Sequence, residues 1–343
     1  MPDDEFPAKK INLALQGGGS HGAFCWGVLD RLLEDRRLYI EGISATSAGS
    51  MNAAVFAYGL AVGGREGARA SLREFWTRVS EVGCLYSPLK PSPLDHWLDY
   101  YNQDINPSYL VFDTFTRLFS PYQLNPLNFN PLRDVLEQTV DFSRLRHACP
   151  VKLFLCATNV RTGKVKIFDN AELSSDAVLA SGCLPFLFQA IEIGGEAYWD
   201  GGYMGNPAIF PLIYDCKSPD ILIVHINPIG RNDIPKTGTD ILNRLNEISF
   251  NSSLMREMRA VAFVTRLIDE KKVQANDMRR LFIHHIEDES YMRGLGSASK
   301  LDPDWEFLAE LRDHGRAVAD EWLKKNFDRI GKESTVDIRA KYL

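Results

Sequence analysis

Three short stretches carry residue types that could do chemistry. Ser47 lies in Ala45-Thr-Ser-Ala-Gly49, a variant of G-x-S-x-G with alanine at its first position. A serine on a sharp strand-to-helix turn projects its hydroxyl over the strand ends, and its neighbours must be small to permit the turn. Alanine adds one methyl group, so the geometry should survive. The plainer reading is a serine N-cap, which any Ser-Ala-Gly-Ser before a helix can supply. Upstream, Gly17-Gly-Gly-Ser-His-Gly22 separates a strand from a helix. Glycines there leave backbone N–H groups uncovered beside a helix N-terminus, where they can hold a phosphate or a developing oxyanion. The third stretch is Asp200-Gly-Gly202, directly after an apolar strand. Its two glycines let a carboxylate approach a neighbouring loop, although Asp-Gly is also a common plain turn.

The glycine loop also fits G-x-G-x-x-G, the dinucleotide fingerprint. That fingerprint needs an acidic residue about 20 residues on, at the end of the second strand. Here the second strand ends Ala45-Thr46-Ser47, and Glu34 and Asp35 fall at a helix end instead. The cofactor reading loses its second half, and no cofactor is expected. A glycine-rich loop one strand–helix unit before Ser47 instead favours the oxyanion reading, with Ser47 as a nucleophile.

In order and type, these motifs resemble the patatin-like phospholipase family, which reads G-G-G-x-x-G, then G-x-S-x-G, then D-G-A/G. The resemblance covers roughly Ile11 to Leu212 and includes Ala180-Ser-Gly-Cys-Leu-Pro185 and Asn206-Pro207. It implies a three-layer α/β/α sandwich with a mainly parallel central sheet. It also implies a dyad of Ser47 and Asp200 and an oxyanion site from the loop of Gly17, Gly18, Gly19 and Gly22. Ala45, Gly49, Gly201 and Gly202 would support the turns. The implied reaction is hydrolysis of acyl esters in phospholipids, lysophospholipids or neutral lipids. Two positions depart from the family pattern: His21 stands where arginine is frequent, and Ala45 where glycine is. His21 is read as a helix-start residue pointing at solvent.

A free aspartate, with a pKa of about 3.9, is a feeble base toward serine. Burial in an apolar cleft would raise its basicity. The rival is a Ser-Asp-His esterase using Ser47, Asp200 and a later histidine such as His225 or His285, since Ser, Asp, His is the α/β-hydrolase order. That fold places several strands before its nucleophile, whereas here one strand precedes the serine motif. His225 reads as a core or strand-end residue, and His284-His285 lacks partners at metal-ligand spacing, so no metal is expected. An acyltransferase using the same acyl-serine is a further alternative. A catalytically silent binding protein fits the intact Ser47 and Asp200 less well.

The elements that must position these groups follow from periodicity. Strands are predicted at Ile11–Leu15 and Gly42–Thr46, each running through a tight turn into a helix, which predicts parallel pairing. Further strands are expected at Val151–Ala157, Val165–Phe168, Glu196–Trp199, Ile221–Ile226 and near Leu281–Ile286. A helix of small residues spans Ser174–Gly182. A long helix follows Thr237, with Ile241, Leu245, Ile248, Met255, Met258 and Ala262 on its apolar positions, and a last amphipathic helix carries Trp305, Leu308, Leu311 and Trp322. The expected organisation is a catalytic domain at 8–230 and a mainly helical C-terminal cover at 231–343 on the same domain. Residues 85–132 read as an aromatic insertion dense in proline, with a helix capped by Asn106. It is either a packed subdomain or a lid that meets lipid, since Trp and Tyr favour membrane interfaces.

Composition sets outer limits. The 343 residues are 45% hydrophobic and 24% charged, ordinary globular values. A net charge of −6 argues against a nucleic-acid partner. The six cysteines form no C-x-x-C pair and read as free thiols of a reducing compartment. The N-terminus lacks the basic start and apolar stretch of a signal peptide. The expectation is a cytoplasmic protein, peripheral at a membrane surface while it meets a lipid substrate.

Overall fold

The computed structural model describes residues 9–86, 114–116, 118–231, 234–273, 278–296 and 298–343. Eight strands, numbered along the chain, form one sheet: β1 (Lys9–Leu15), β2 (Leu38–Thr46), β3 (Lys152–Asn159), β4 (Val165–Phe168), β5 (Ile191–Ile193), β6 (Glu196–Asp200), β7 (Asp220–Val224) and β8 (Phe282–Ile286). Their order is β5-β6-β3-β2-β1-β7-β8, with β4 also paired to β3. The five strands from β3 to β8 in that order are parallel; β4, β5 and β6 pair antiparallel. Every strand expected from the sequence is present. The short β5 was missed because three residues, with one exposed and one half-buried, give no readable alternation.

Side chains alternate between the sheet's two faces, and the apolar ones divide accordingly. Leu13, Leu15, Leu153, Leu155, Leu222 and Val224 join one core, together with residues of α1 (Gly22–Glu34), α2 (Ala48–Tyr86) and the helix Trp305–Asn326. Ala14, Phe154, Ile221 and Ile223 point the other way and meet Leu254, Met258 and Tyr342. Both faces are covered, so the strands read as near-continuous apolar runs, and the molecule is a three-layer α/β/α sandwich.

Four more helices matter below or close the layers: α3 (Ser175–Ser181), α4 (Gly238–Asp269), α5 (Trp305–Asn326) and α6 (Ile338–Tyr342). Residues 231–343 thus supply one sheet edge and part of both helical layers. Helix α2 continues beyond a break at Gly63 and Gly64, whose backbone is not helical. The apolar series along α4 divides. Met258 is buried, but Ile241, Leu245 and Ile248 are 44%, 56% and 50% exposed. The helix expected from Asn106 begins outside the described residues; 114–116 and 118 are helical. Among the described residues no helix is long and apolar enough to cross a membrane.

Candidate active site

Strand β2 ends at Thr46 and α2 begins at Ala48, so Ser47 alone makes the turn, at φ 55°. That left-handed conformation costs an L-residue roughly 1–2 kcal/mol and persists only where its surroundings hold it. Here the Ser47 carbonyl accepts the N–H groups of Ser50 and Met51 at 2.8 and 3.2 Å, the first bonds of α2. The Ser47 N–H donates to Ser181 Oγ at 2.9 Å. Ser181 Oγ in turn donates to the Cys156 carbonyl at 2.6 Å and lies 2.8 Å from Ser50 Oγ. One hydroxyl at the end of α3 therefore ties the elbow to β3. Ala45 is fully buried in the core, so the methyl that departs from the family pattern is absorbed by packing.

Asp200 is the last residue of β6 and is 2% exposed. Its N–H donates to the Cys183 carbonyl and its own carbonyl accepts from Thr158 Oγ1, both at 2.8 Å. Its Oδ1 accepts the Gly202 N–H at 2.7 Å. Burial pushes this carboxyl up to about 6, against the opposing pull of the Gly202 N–H and then of the Ser47 side chain. Gly201 is buried against the Cys156 carbonyl, and Gly49 packs against that of Leu15.

The glycine loop passes directly over the serine. A Cβ on Gly17 would lie 2.5 Å from Ser47 Cβ, so no larger residue fits there. Gly19 adopts φ +59° with its Cα against the Lys300 carbonyl, and a Cβ there would come within 2.2 Å of that oxygen. The loop's amides are not equivalent. Gly17 N–H donates to Asn206 Oδ1 at 2.7 Å, and Gly22 N–H closes back on the Gly19 and Ser20 carbonyls. Gly18, Gly19 and Ser20 N–H remain the loop amides without a protein acceptor among the described residues. The four glycines grouped in the sequence thus divide into two that anchor the loop and two that can donate outward.

Several positioning residues had no local signal. Gln16 Oε1 accepts from the N–H groups of Ile226 and Asn227, both at 2.9 Å, while its Nε2 donates to the Asn206 carbonyl at 3.1 Å. Asn227 Nδ2 donates to the Gly17 carbonyl at 2.7 Å, and Lys300 Nζ donates to Asn227 Oδ1 at 3.0 Å. Gln16 beside the glycines and Asn206 behind Asp200-Gly-Gly were visible as neighbours of motifs; Lys300 was not.

The solvent-facing expectation for His21 is overturned. His21 is 3% exposed, and its Nε2 lies 2.7 Å from Ser299 Oγ in the segment that covers the loop. Burial, then the Lys300 charge, holds it well below its usual range, so it is neutral. The histidines of the rival triad face elsewhere. His225 and His285 are buried between β7 and β8, with His285 Nε2 2.6 Å from the Tyr342 hydroxyl. His284 Nε2 lies 2.9 Å from Asp220 Oδ1. Among the described residues no histidine contacts Ser47 or Asp200. The cysteines are all free, and Cys25, Cys156, Cys183 and Cys216 are buried.

A family model described as Patatin-like phospholipase matches residues 13–213. No curated protein matches. Among solved structures, the chain is similar to VipD from Legionella pneumophila, at 14% identity and a TM-score of 0.44, over 93% of this chain and 67% of that one. It is also similar to ExoU in its complex with SpcU from Pseudomonas aeruginosa, at 16% identity and a TM-score of 0.36. That match covers 94% of this chain and 52% of the other, so the chain spans about half of ExoU.

Proposed function

The chain belongs to the patatin-like phospholipase family, and from that premise we propose that it is a lipid acyl hydrolase working through Ser47 and Asp200 alone. The observation that carries this reading is the strained elbow that holds Ser47 beside a buried Asp200 whose basicity is raised. A carboxylate near 6 is ionised at neutral pH and far better matched to accepting a proton than one at 3.8.

In this reading Ser47 Oγ attacks the ester carbonyl as Asp200 takes its proton. The tetrahedral oxyanion meets the outward amides of Gly18 and Gly19, each worth roughly 3 kcal/mol to the transition state. Collapse expels the alcohol, which takes the proton from Asp200, and leaves an acyl-serine. Asp200 then draws a proton from water as it attacks the acyl carbonyl and returns it to Ser47 Oγ as the acyl–serine bond breaks, releasing the fatty acid. The N-terminus of α2 favours negative charge on Ser47 throughout.

The described end of the aromatic insertion, residues 118–132, meets the segment that follows Cys183. Gln189 Nε2 donates to the Asn125 carbonyl at 2.8 Å, and residues 183–190 lead from the carbonyl that holds Asp200 N–H. Leu118 and Leu127 are 71% and 91% exposed, which supports the lid reading over the packed-subdomain one for this part.

The test is fatty-acid release by purified protein from phospholipid, lysophospholipid, triglyceride and acyl thioester, with covalent labelling by a fluorophosphonate. Hydrolysis and labelling should both vanish in Ser47→Ala. Labelling that survives the substitution would remove Ser47 from the mechanism, and transfer to an added alcohol in preference to water would make the protein an acyltransferase.

A further inference from the structure

Gly17 is gripped at both of its peptide groups by buried asparagines. Its N–H donates to Asn206 Oδ1, and its carbonyl accepts from Asn227 Nδ2, at 2.7 Å in each case. Asn227 is 1% exposed, and its side-chain oxygen accepts from Lys300 Nζ at 3.0 Å. An ammonium can only donate and a carbonyl can only accept, so these two contacts leave the Asn227 amide one orientation. Lys300 lies outside residues 13–213, the stretch matched by the family model, and no charged side chain stands within Gly17–Gly22 itself. His21, the one titratable group there, is neutral because of burial and then of the Lys300 charge.

The Asn227 contact acts on a donor. Gly17 and Gly18 are joined by a trans peptide, whose C=O and N–H point in opposite directions. Drawing the Gly17 carbonyl inward to Asn227 therefore turns the Gly18 N–H outward, where it has no protein acceptor among the described residues. The chain of donors also has a polarity. Charge on Lys300 strengthens its bond to the Asn227 oxygen, which makes Nδ2–H a better donor to the Gly17 carbonyl. A peptide polarised at its oxygen presents a more positive N–H, here that of Gly18. No proton moves along this chain; it carries polarisation alone.

We propose that Lys300 is a positioning residue of the oxyanion site, acting through Asn227 to aim and polarise the Gly18 N–H. The inference rests on the lipid-hydrolase reading above and adds the source of positive charge for its oxyanion. Other contacts separate this role from simple support of the loop. The Asn227 N–H is held by Gln16 Oε1 at 2.9 Å, and Gly19 packs against the Lys300 backbone carbonyl. Neither contact involves the Lys300 side chain. Ser299, beside it, holds His21 through its hydroxyl. Neutralising the Lys300 side chain should therefore leave the loop in place and weaken its donor.

The test compares Lys300→Met, Lys300→Gln and Lys300→Arg with the wild type on a short soluble ester and on an alkyl trifluoromethyl ketone. Ser47 Oγ adds to the ketone carbonyl as its proton passes to Asp200, and the hemiketal oxygen bears the negative charge. Binding of the ketone thus reads the oxyanion site without turnover. Lys300→Met should lower kcat roughly tenfold, less than the hundredfold or more for deleting a donor, with KM within about twofold. Its Ki for the ketone should rise by about the same factor as kcat falls. Lys300→Gln, a neutral donor, should fall between methionine and wild type, and Lys300→Arg should restore both values to within about threefold. Thermal midpoints are measured for all, and if Lys300→Met does not fold, the glutamine variant carries the comparison. An unchanged kcat in the uncharged variants overturns the proposal. So does a loss of kcat that leaves ketone affinity unchanged, or an arginine variant no better than the uncharged ones. A wild type that neither hydrolyses the ester nor binds the ketone removes the catalytic reading itself, and the role of Lys300 with it.

Discussion

Asn206 Oδ1 accepts the Gly17 N–H at 2.7 Å, joining the loop behind Asp200 to the loop that crosses Ser47. Both partners are buried, and this bond turns the Gly17 amide away from the site while Gly18 and Gly19 keep theirs free to donate outward. Asn206→Ala should leave a buried donor unsatisfied and cost about 1–3 kcal/mol of stability. The larger effect should be kinetic: kcat for a soluble ester falling roughly tenfold to a hundredfold with KM little changed, as expected when oxyanion donors lose their aim. Unchanged kcat with the same stability loss would confine Asn206 to a structural role.

The raised carboxyl of Asp200 sets the acid limb of the pH profile. A general base must be ionised, so kcat/KM should rise with pH and level off above about 6. A limb falling near 4 would mean that the buried environment does not act on the working base. Because His21 is held well below its usual range and His225 is pushed down to about 3, neither should contribute to that limb. Replacing either one by glutamine should leave its position unmoved.

Ser47 combines a chemical role with a strained backbone, and the two can be separated. Ser47→Ala keeps φ 55° on a residue with a Cβ, whereas Ser47→Gly relieves it. Both should lose ester hydrolysis, on the roughly 10⁶-fold scale of a deleted serine nucleophile. The glycine variant should be more stable than the alanine variant by about 1 kcal/mol, measured by denaturant unfolding. Equal stabilities would show that the elbow holds no such strain.

The sequence made the parallel core legible because β1, β2, β3 and β7 are long apolar runs bounded by turn chemistry. It also marked Ser47, the glycines and Asp200, since each sits where a tight turn leaves a short readable pattern. What it could not convey was distance in space. Lys300 and Ser299 reach the glycine loop from nearly 280 residues away, and nothing local to them signals it. His21 was misjudged for that reason: its immediate neighbours suggest an open helix start, and the cover over it comes from another part of the chain. The exposure of Ile241, Leu245 and Ile248 on α4 was equally hidden, because periodicity reports that residues share a face but not which way the face turns.

Asp200 also couples stability to pH, with a sign opposite to that of the usual paired carboxylate. Its folded-state pKa is raised from 3.8 to about 6, so the native state holds the proton more tightly than the unfolded chain. The stabilisation from the neutral carboxyl is fully present below about 3.8 and is lost as pH rises through about 6. That separation corresponds to about 3 kcal/mol. Asparagine carries no charge at any pH and retains an oxygen for the Gly202 N–H. Asp200→Asn should therefore match the wild type in stability near pH 3.8 and exceed it by up to about 3 kcal/mol above pH 7, while being catalytically dead. Thermal or denaturant unfolding of the two proteins across that range makes the comparison directly. A difference that stays constant with pH would mean that the folded and unfolded carboxyls titrate alike, and the buried, basic Asp200 on which the dyad depends would be lost with it.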